Sequence, residues 1–234
     1  MVGDAVDNIL RATERIRGLA ARTVLNVRAA PTFATKWIIP HLPAFLNVHP
    51  ELDLRLDATS EPLEFGRDHV DLEIRHGRGN WTGLYLRKIG DERFAPLCAP
   101  SLIAPGSVEI ADLARYPLIH SVKNVLQWPN WFADQGVEPP KEKKRLMFDR
   151  AHNSIDMAAT GAGIALESHV TAWKELHDGR LACPLRAPPA LWRVSLWYAC
   201  PRANIKRRPV RQFMDWLDST LRDVDQPPEG LEIG

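Results

Sequence analysis

The chain has 234 residues, 45% of them hydrophobic and 25% charged, with a formal net charge of +1. This is ordinary for a soluble globular protein and leaves room for one large domain or two small ones. The near-neutral balance excludes a chain steered as a whole towards nucleic acid or acidic membranes, because groove-binding modules are markedly basic.

The N-terminus has no apolar h-region and no small-residue cleavage site, so no secretory signal is expected. No apolar run approaches the about 20 residues that span a bilayer, which points to the cytoplasm and to no membrane partner. Cys98, Cys183 and Cys200 are odd in number and widely spaced. They form no CxxC pair and read as buried or free thiols in a reducing compartment.

Val6, Ile9, Leu10, Thr13, Ile16 and Ala20 recur at three- and four-residue steps among charged residues, predicting an amphipathic helix. It is either a packed N-terminal helix or the tail of a linker helix over 1–23. From residue 24 the pattern becomes strand, helix, strand. Leu25, Val27 and Ala29 alternate with polar neighbours, and a helix is predicted over 33–50. Pro40 and Pro43 place a kink near Pro40, and His49-Pro50 ends it. Leu52, Leu54 and Leu56 mark a second strand, and Val70, Leu72 and Ile74 a third. Strands separated by helices predict a largely parallel α/β sheet. Strict alternation is unusual for such strands, and an edge position or one incompletely covered face would account for it.

Residues 93–100 read as a strand, Ile110, Leu113 and Ala114 as a short helix, and 117–122 as a strand. QWPNWFADQG reads as a helix ended by Gly136. A second α/β set follows in KRLMFDR and in HNSIDMAATGAGIALES, the latter a short helix over 154–160, a glycine turn and a strand. RVSLWYACP (193–201) is one more strand. The run Lys206-Arg207-Arg208 leads into a helix carrying Val210, Phe213, Met214 and Leu217 on one face, then a loose tail over 225–234.

Several segments together resemble the regulatory domain of LysR-type transcriptional regulators. LNVRAAPTFATKWIIPHLPAFLNVHPELDLRL is similar to the family's opening strand and cleft helix. VDLEIRHGRGNWTGL resembles the close of the first lobe, DLARYPLIH a later strand, and MAATGAGIAL the glycine turn of the second lobe. WIIPHLPAF with IRHGRGNW looks most like the subgroup typified by the glycine-cleavage-system activator. The resemblance covers residues 4 to 224 and rests on the order and spacing of the motifs.

It implies an α/β fold of two Rossmann-like lobes joined by crossover strands, like the type 2 periplasmic binding proteins, with a small-molecule effector in the cleft. Lobe I would take 24–98 and 196–224, and lobe II 99–195. It also implies a homodimer or tetramer, with the helix of Trp37, Leu42 and Phe45 as a candidate contact surface. Family members begin with a winged helix-turn-helix, and no such module is found here. The expectation is therefore a fragment or truncated product that meets DNA only through that absent N-terminal domain.

Thr32, followed by Phe33, opens the first helix after a strand, where free N–H groups favour an anion. In the resembled family a Ser or Thr here helps hold the effector; the plain alternative is an N-cap hydroxyl. Ser60 follows a strand's carboxyl end, where open α/β sheets bind ligands. Asn153 or Ser154 is expected to cap the short helix, with Asp156 closing a variant capping box. Two helix N-termini facing one cleft would suit a carboxylate or amino-acid effector. The loop from Arg75 and His76 to Trp81 either clamps an anion or is a solvated turn. Trp128 either touches the effector or packs in the core.

No catalytic or metal constellation emerges. The eight histidines show no HExxH spacing, and there is no GxSxG elbow or P-loop. Gly161-Ala162-Gly163 precedes a strand, the wrong context for a dinucleotide fingerprint. Acid pairs such as Asp91-Glu92 read as surface charge. No cofactor or enzymatic activity is expected; a stand-alone solute-binding protein of the same fold is the alternative to the sensor.

Overall fold

Alternating apolar residues build the first strand, β1 (Thr23–Ala29), which buries Leu25, Val27 and Ala29 on one face. Pro31 then presets the backbone for the first turn of a helix running over 31–48. The computed structural model describes residues 22–61, 63, 65, 67–140, 146–187 and 192–225. The helix expected before residue 21 and the tail expected after 225 lie outside these.

The first helix comprises α1 (Pro31–Phe33), a five-residue π turn (Ala34–Ile38) and α2 (Ile39–Val48). Ile39 N–H donates to the Ala34 carbonyl across that wide turn. The irregularity stands just ahead of Pro40, which has no N–H to give, so the expected kink takes the form of one expanded turn.

β2 (Leu52–Ala58) and β3 (Leu72–Gly77) flank β1 in parallel. β4 (Leu84–Leu97) is 14 residues long, beginning well before the strand expected at 93. There follow β5 (Leu118–Ser121), α3 (Trp128–Asp134), β6 (Leu146–Phe148), α4 (Ala151–Ala159), β7 (Ile164–Ser168), α5 (Trp173–His177), β8 (Trp192–Pro201) and α6 (Arg208–Leu221).

The strands form one eight-stranded sheet in the order β2-β1-β3-β8-β4-β7-β5-β6. Two parallel triplets, β2-β1-β3 and β7-β5-β6, lie on either side of the antiparallel pair β8 and β4. These two long strands are the crossovers. One end of β4 pairs only with β8, while Phe94–Leu97 pair with β7. The alternation of β2 has a direct cause: it is the edge strand, with Leu52 buried and Asp53, Arg55 and Asp57 exposed. In β1, which is internal, one face is only partly covered.

Two hydrophobic cores result. The first gathers Leu25, Val27, Phe33, Trp37, Phe45, Leu72, Ile74 and Tyr198 with Val210, Phe213, Met214 and Leu217 of α6. Phe45 meets the Phe213 ring edge-on at 5.5 Å, and Trp37 Nε1 donates to Thr220 Oγ1 at 3.0 Å. Fully burying side chains of this size contributes about 2–3 kcal/mol each. Trp37 and Phe45, on the helix expected to form a dimer surface, are thus committed to the core of their own chain. The outward side of that helix carries Ile39, Pro43, Asn47 and Val48 instead. The second core joins Phe94, Leu97, Leu113, Trp128, Trp131, Phe132, Ile155, Ile164 and Leu181. Among the described residues no helix is long and apolar enough to cross a membrane, and no group of three or more side chains could hold a metal ion.

Candidate functional site

The two cores leave a cavity of about 460 Å³ between them. From the first lobe it is lined by Ala30–Phe33, by Thr59, Ser60, Glu61 and Leu63 after β2, and by Glu73–His76 of β3. From the second come Lys123–Val125 after β5, Asp149–Ala151 at the start of α4, and Glu167 of β7 with Thr171. Glu92 and Phe94 of the crossover strand β4 join them. Most of these segments follow strand carboxyl ends, where the topology reverses and open α/β sheets leave a crevice.

Five of the residues singled out from the sequence line this cavity: Thr32, Phe33, Ser60, Arg75 and His76. Thr32 does not cap its helix. Ala30 is the N-cap and no side chain bonds there. Instead the Thr32 hydroxyl accepts from the backbone N–H of His152, 3.3 Å away on α4. The two helix N-termini therefore meet across the cleft through this bond. Phe33 is fully buried, and Ser60 is exposed at the rim.

Arg75 is turned back onto Glu73 and lies 4.8 Å over the Trp81 ring. His76 Nε2 reaches Glu92 Oε2 at 2.5 Å. The rest of the loop wraps a tryptophan. Trp197 Nε1 donates to the Gly77 carbonyl at 3.0 Å, and a Cβ on Gly79 would fall 2.4 Å from the Trp197 ring.

The other three expected residues are not in the cavity wall. Trp128 is 3% exposed, donating Nε1–H to the Ile119 carbonyl inside the second core. Neither Asn153 nor Ser154 caps α4, which begins three residues earlier, at Ala151, with Arg150 as an N-cap that makes no side-chain bond. Asn153 thus sits in the first turn, and Ser154 points inward, fully buried, 2.7 Å from Ser121 Oγ. Asp156 closes no capping box. It pairs with Lys36 of the other lobe at 2.6 Å.

The acidic floor was not foreseen. Glu92, read as surface charge, is 1% exposed, and Ser168 Oγ donates to its Oε1 at 2.7 Å. Burial acts to raise its pKa, but His76 beside it prevails and holds it below the usual carboxylate range. The same pairing outweighs the burial of His76 and raises the imidazole. Glu167 is also 1% exposed. It is hydrogen bonded to Ser121, and Asn124 Nδ2 donates to its Oε2 at 3.0 Å. Burial pushes it up to about 8, and the charge of Glu92 adds to the shift against those two hydrogen bonds. Glu73 is raised too, by burial only partly offset by Arg75. One signal for Glu167 was in the sequence: a lone acid inside the apolar strand GIALES.

A two-lobed α/β domain with a lined cavity between its lobes is a ligand-binding domain of the periplasmic-binding-protein type. The chain belongs to the LysR substrate-binding-domain family, whose match extends over residues 20–222. It is 34% identical over 216 residues to the HTH-type transcriptional regulator y4mQ of Sinorhizobium fredii, covering 92% of this chain and 72% of that one. With the transcriptional activator AmpR of Rhodobacter capsulatus it shares 33% over 211 residues, 90% and 71% of the respective chains. The glycine cleavage system transcriptional activator of Escherichia coli is 26% identical over 219 residues, 92% and 71%. Among solved structures, the effector domain of AmpR from Pseudomonas aeruginosa superposes with a TM-score of 0.67 at 26% identity, over 84% of this chain and 94% of that one.

Proposed function

We propose that this chain is the effector-sensing and dimer-forming part of a cytoplasmic transcriptional regulator. Its first lobe takes residues 24–98 and 196–224 and its second lobe 99–195. A small ligand bearing a carboxylate binds between the lobes and biases their relative arrangement. Promoter contact belongs to a helix-turn-helix module of the kind named in its relatives.

One observation carries this reading: the cavity of about 460 Å³ is lined from both lobes, with a helix N-terminus arriving from each side. That volume lies within the range of small-molecule sites. The N-terminal N–H groups and helix dipoles favour a carboxylate there. A ligand touching both lobes has different contacts in open and closed arrangements, which is the physical requirement for shifting between them.

A thermal-shift titration of the chain with amino acids and small carboxylates tests it. A ligand at about 100 times its Kd stabilises by about 2.7 kcal/mol. The reading expects a saturable rise for one chemical class, reduced in Thr32→Ala. A panel without any saturable response would overturn it.

A further inference from the structure

The charges that line the cavity are unevenly placed. Glu61, Glu73, Glu92, Asp149 and Glu167 bring five carboxyl groups, against three cations, Arg75, Lys123 and Arg150, and the His76 imidazole. The cations are committed or peripheral. Arg75 is held by Glu73, Arg150 Nε lies 3.7 Å from Asp149, and Lys123 is exposed. The two deepest groups are both acids, Glu92 and Glu167, each 1% exposed.

These two acids are incompletely answered by the protein. Glu92 is paired with His76, whose Nε2 lies 2.5 Å from Oε2, and accepts from Ser168 at Oε1. Glu167 is held by a hydroxyl and an amide, Ser121 and Asn124, neither of them charged. Burial, reinforced by the charge of Glu92, favours its neutral form. A simple dicarboxylate placed over this floor would add further negative charge to it.

The opposite wall has the reverse character. Ala30–Phe33 and Arg150–Ala151 present two helix starts whose own N-cap side chains make no capping bond, with the Thr32 hydroxyl between them accepting from the His152 N–H. Resting on the cleft-sensor reading above, we infer that the ligand is zwitterionic. It is an amino-carboxylate whose carboxylate sits at Thr32 and the two helix starts, and whose ammonium sits over Glu92 and Glu167. These two carboxyls have one close cation between them, His76; the ammonium supplies a second positive charge and further donors, and the ion pair is strengthened by exclusion from water. Among the described residues no group of three ligands suits a metal ion as the alternative cation.

Isothermal titration calorimetry of the whole chain tests this. The probes are the twenty amino acids, each beside its N-acetyl and deamino counterparts, on the native protein, Glu167→Gln and Thr32→Ala. Gln keeps the shape of an already neutral Glu167, and can accept from Asn124 while donating to the Ser121 hydroxyl, so the variant is expected to fold. A native amino-acid hit is expected to weaken at least tenfold on N-acetylation or deamination. In Glu167→Gln it is expected to fall towards the deamino compound, while the affinity for the deamino compound stays unchanged. Deamino acids that bind as tightly as the amino acids, with the binding reduced in Thr32→Ala, would overturn the ammonium site and leave the cleft sensor standing. Binding of neither series, or binding indifferent to both substitutions, would overturn both.

Discussion

Lys36, on the π turn of the first lobe, holds two carboxylates of the second: Asp156 Oδ1 of α4 at 2.6 Å and Glu175 Oε1 of α5 at 3.0 Å. The Lys36 side chain is 13% exposed and that of Glu175 3%, so this bridge is largely out of solvent. Arg180 also reaches Glu175 Oε1, at 2.8 Å. Together with the Thr32–His152 bond it pins the lobes along the side where α1 and the π turn face α4.

Lys36→Met is expected to lower stability by about 2 kcal/mol, because a buried carboxylate loses one of its two cations. Arg180 remains and limits the loss. Urea unfolding followed by circular dichroism reads it as a lower midpoint with an unchanged slope. A change under about 0.5 kcal/mol would mean that the bridge contributes no more than an exposed pair. The same variant should also loosen the lobes, visible as an increased radius of gyration in small-angle X-ray scattering.

The buried acids give stability a definite dependence on pH. Glu167 is raised from 4.5 to about 8, so the folded state holds a proton that the unfolded chain has released. Its contribution is fully present below about pH 4.5 and is lost as pH climbs towards 8. His76, also raised, acts in the same direction: its contribution is present below 6.5 and lost as pH passes its folded value. Glu92, lowered, acts oppositely and loses its contribution in acid below about 4.5. Tm measured by calorimetry should therefore peak near pH 5 and fall towards pH 8. Glu167→Gln, which cannot ionise, should flatten that fall. An unchanged slope would show that Glu167 already ionises at neutral pH.

Much of this architecture was legible because its signals are local. Leu25, Val27 and Ala29 alternate, Pro40 marks the irregular turn, and Val210 to Leu217 trace the buried stripe of α6. What stayed hidden depends on partners far along the chain. The part of β4 before Phe94 carries Arg87, Lys88, Asp91 and Glu92, which look like a solvated loop until β8 is laid beside them. Glu92 finds His76 and Ser168 only through the sheet. Ser154 looked like a cap because its residue type favours caps, yet the helix starts at Ala151 and its hydroxyl turns inward to Ser121. Thr32 and Ser60 could be placed at the cavity wall because crevices at strand carboxyl ends follow from topology alone.

Gly163 is a position where sequence and structure agree on the residue for different reasons. It follows the turn at Gly161, whose φ of +82° is left-handed. Gly163 itself has no such φ, but a Cβ there would fall 2.5 Å from the Pro117 carbonyl oxygen and 3.2 Å from Ile119. Gly163→Ala must therefore push the start of β7 away from β5, whose Leu118 and Ile119 pair with Ile164 and Ala165. A loss of about 1–3 kcal/mol is expected, measured by urea unfolding. A neutral result would mean that the strands separate without cost at this end.

The outward side of the first helix offers the last test. Ile39 is 50% exposed and Val48 72%, while Trp37 and Phe45 of the same helix are buried against α6. If the chain pairs through this helix, as the dimer reading proposes, the contact must use the outward residues. Ile39→Glu with Val48→Glu then places two carboxylates in an apolar interface, where each unpaired charge is strongly unfavourable. Sedimentation equilibrium should show the dimer dissociation constant rising by at least a hundredfold. Circular dichroism should be unchanged, because neither side chain enters the core. Trp37→Phe serves as the control: it removes the bond to Thr220 and should lower Tm without altering self-association. Should the double variant dimerise like the native chain, pairing lies elsewhere, and the exposed apolar groups Val122 and Met147 of the second lobe become the next pair to substitute.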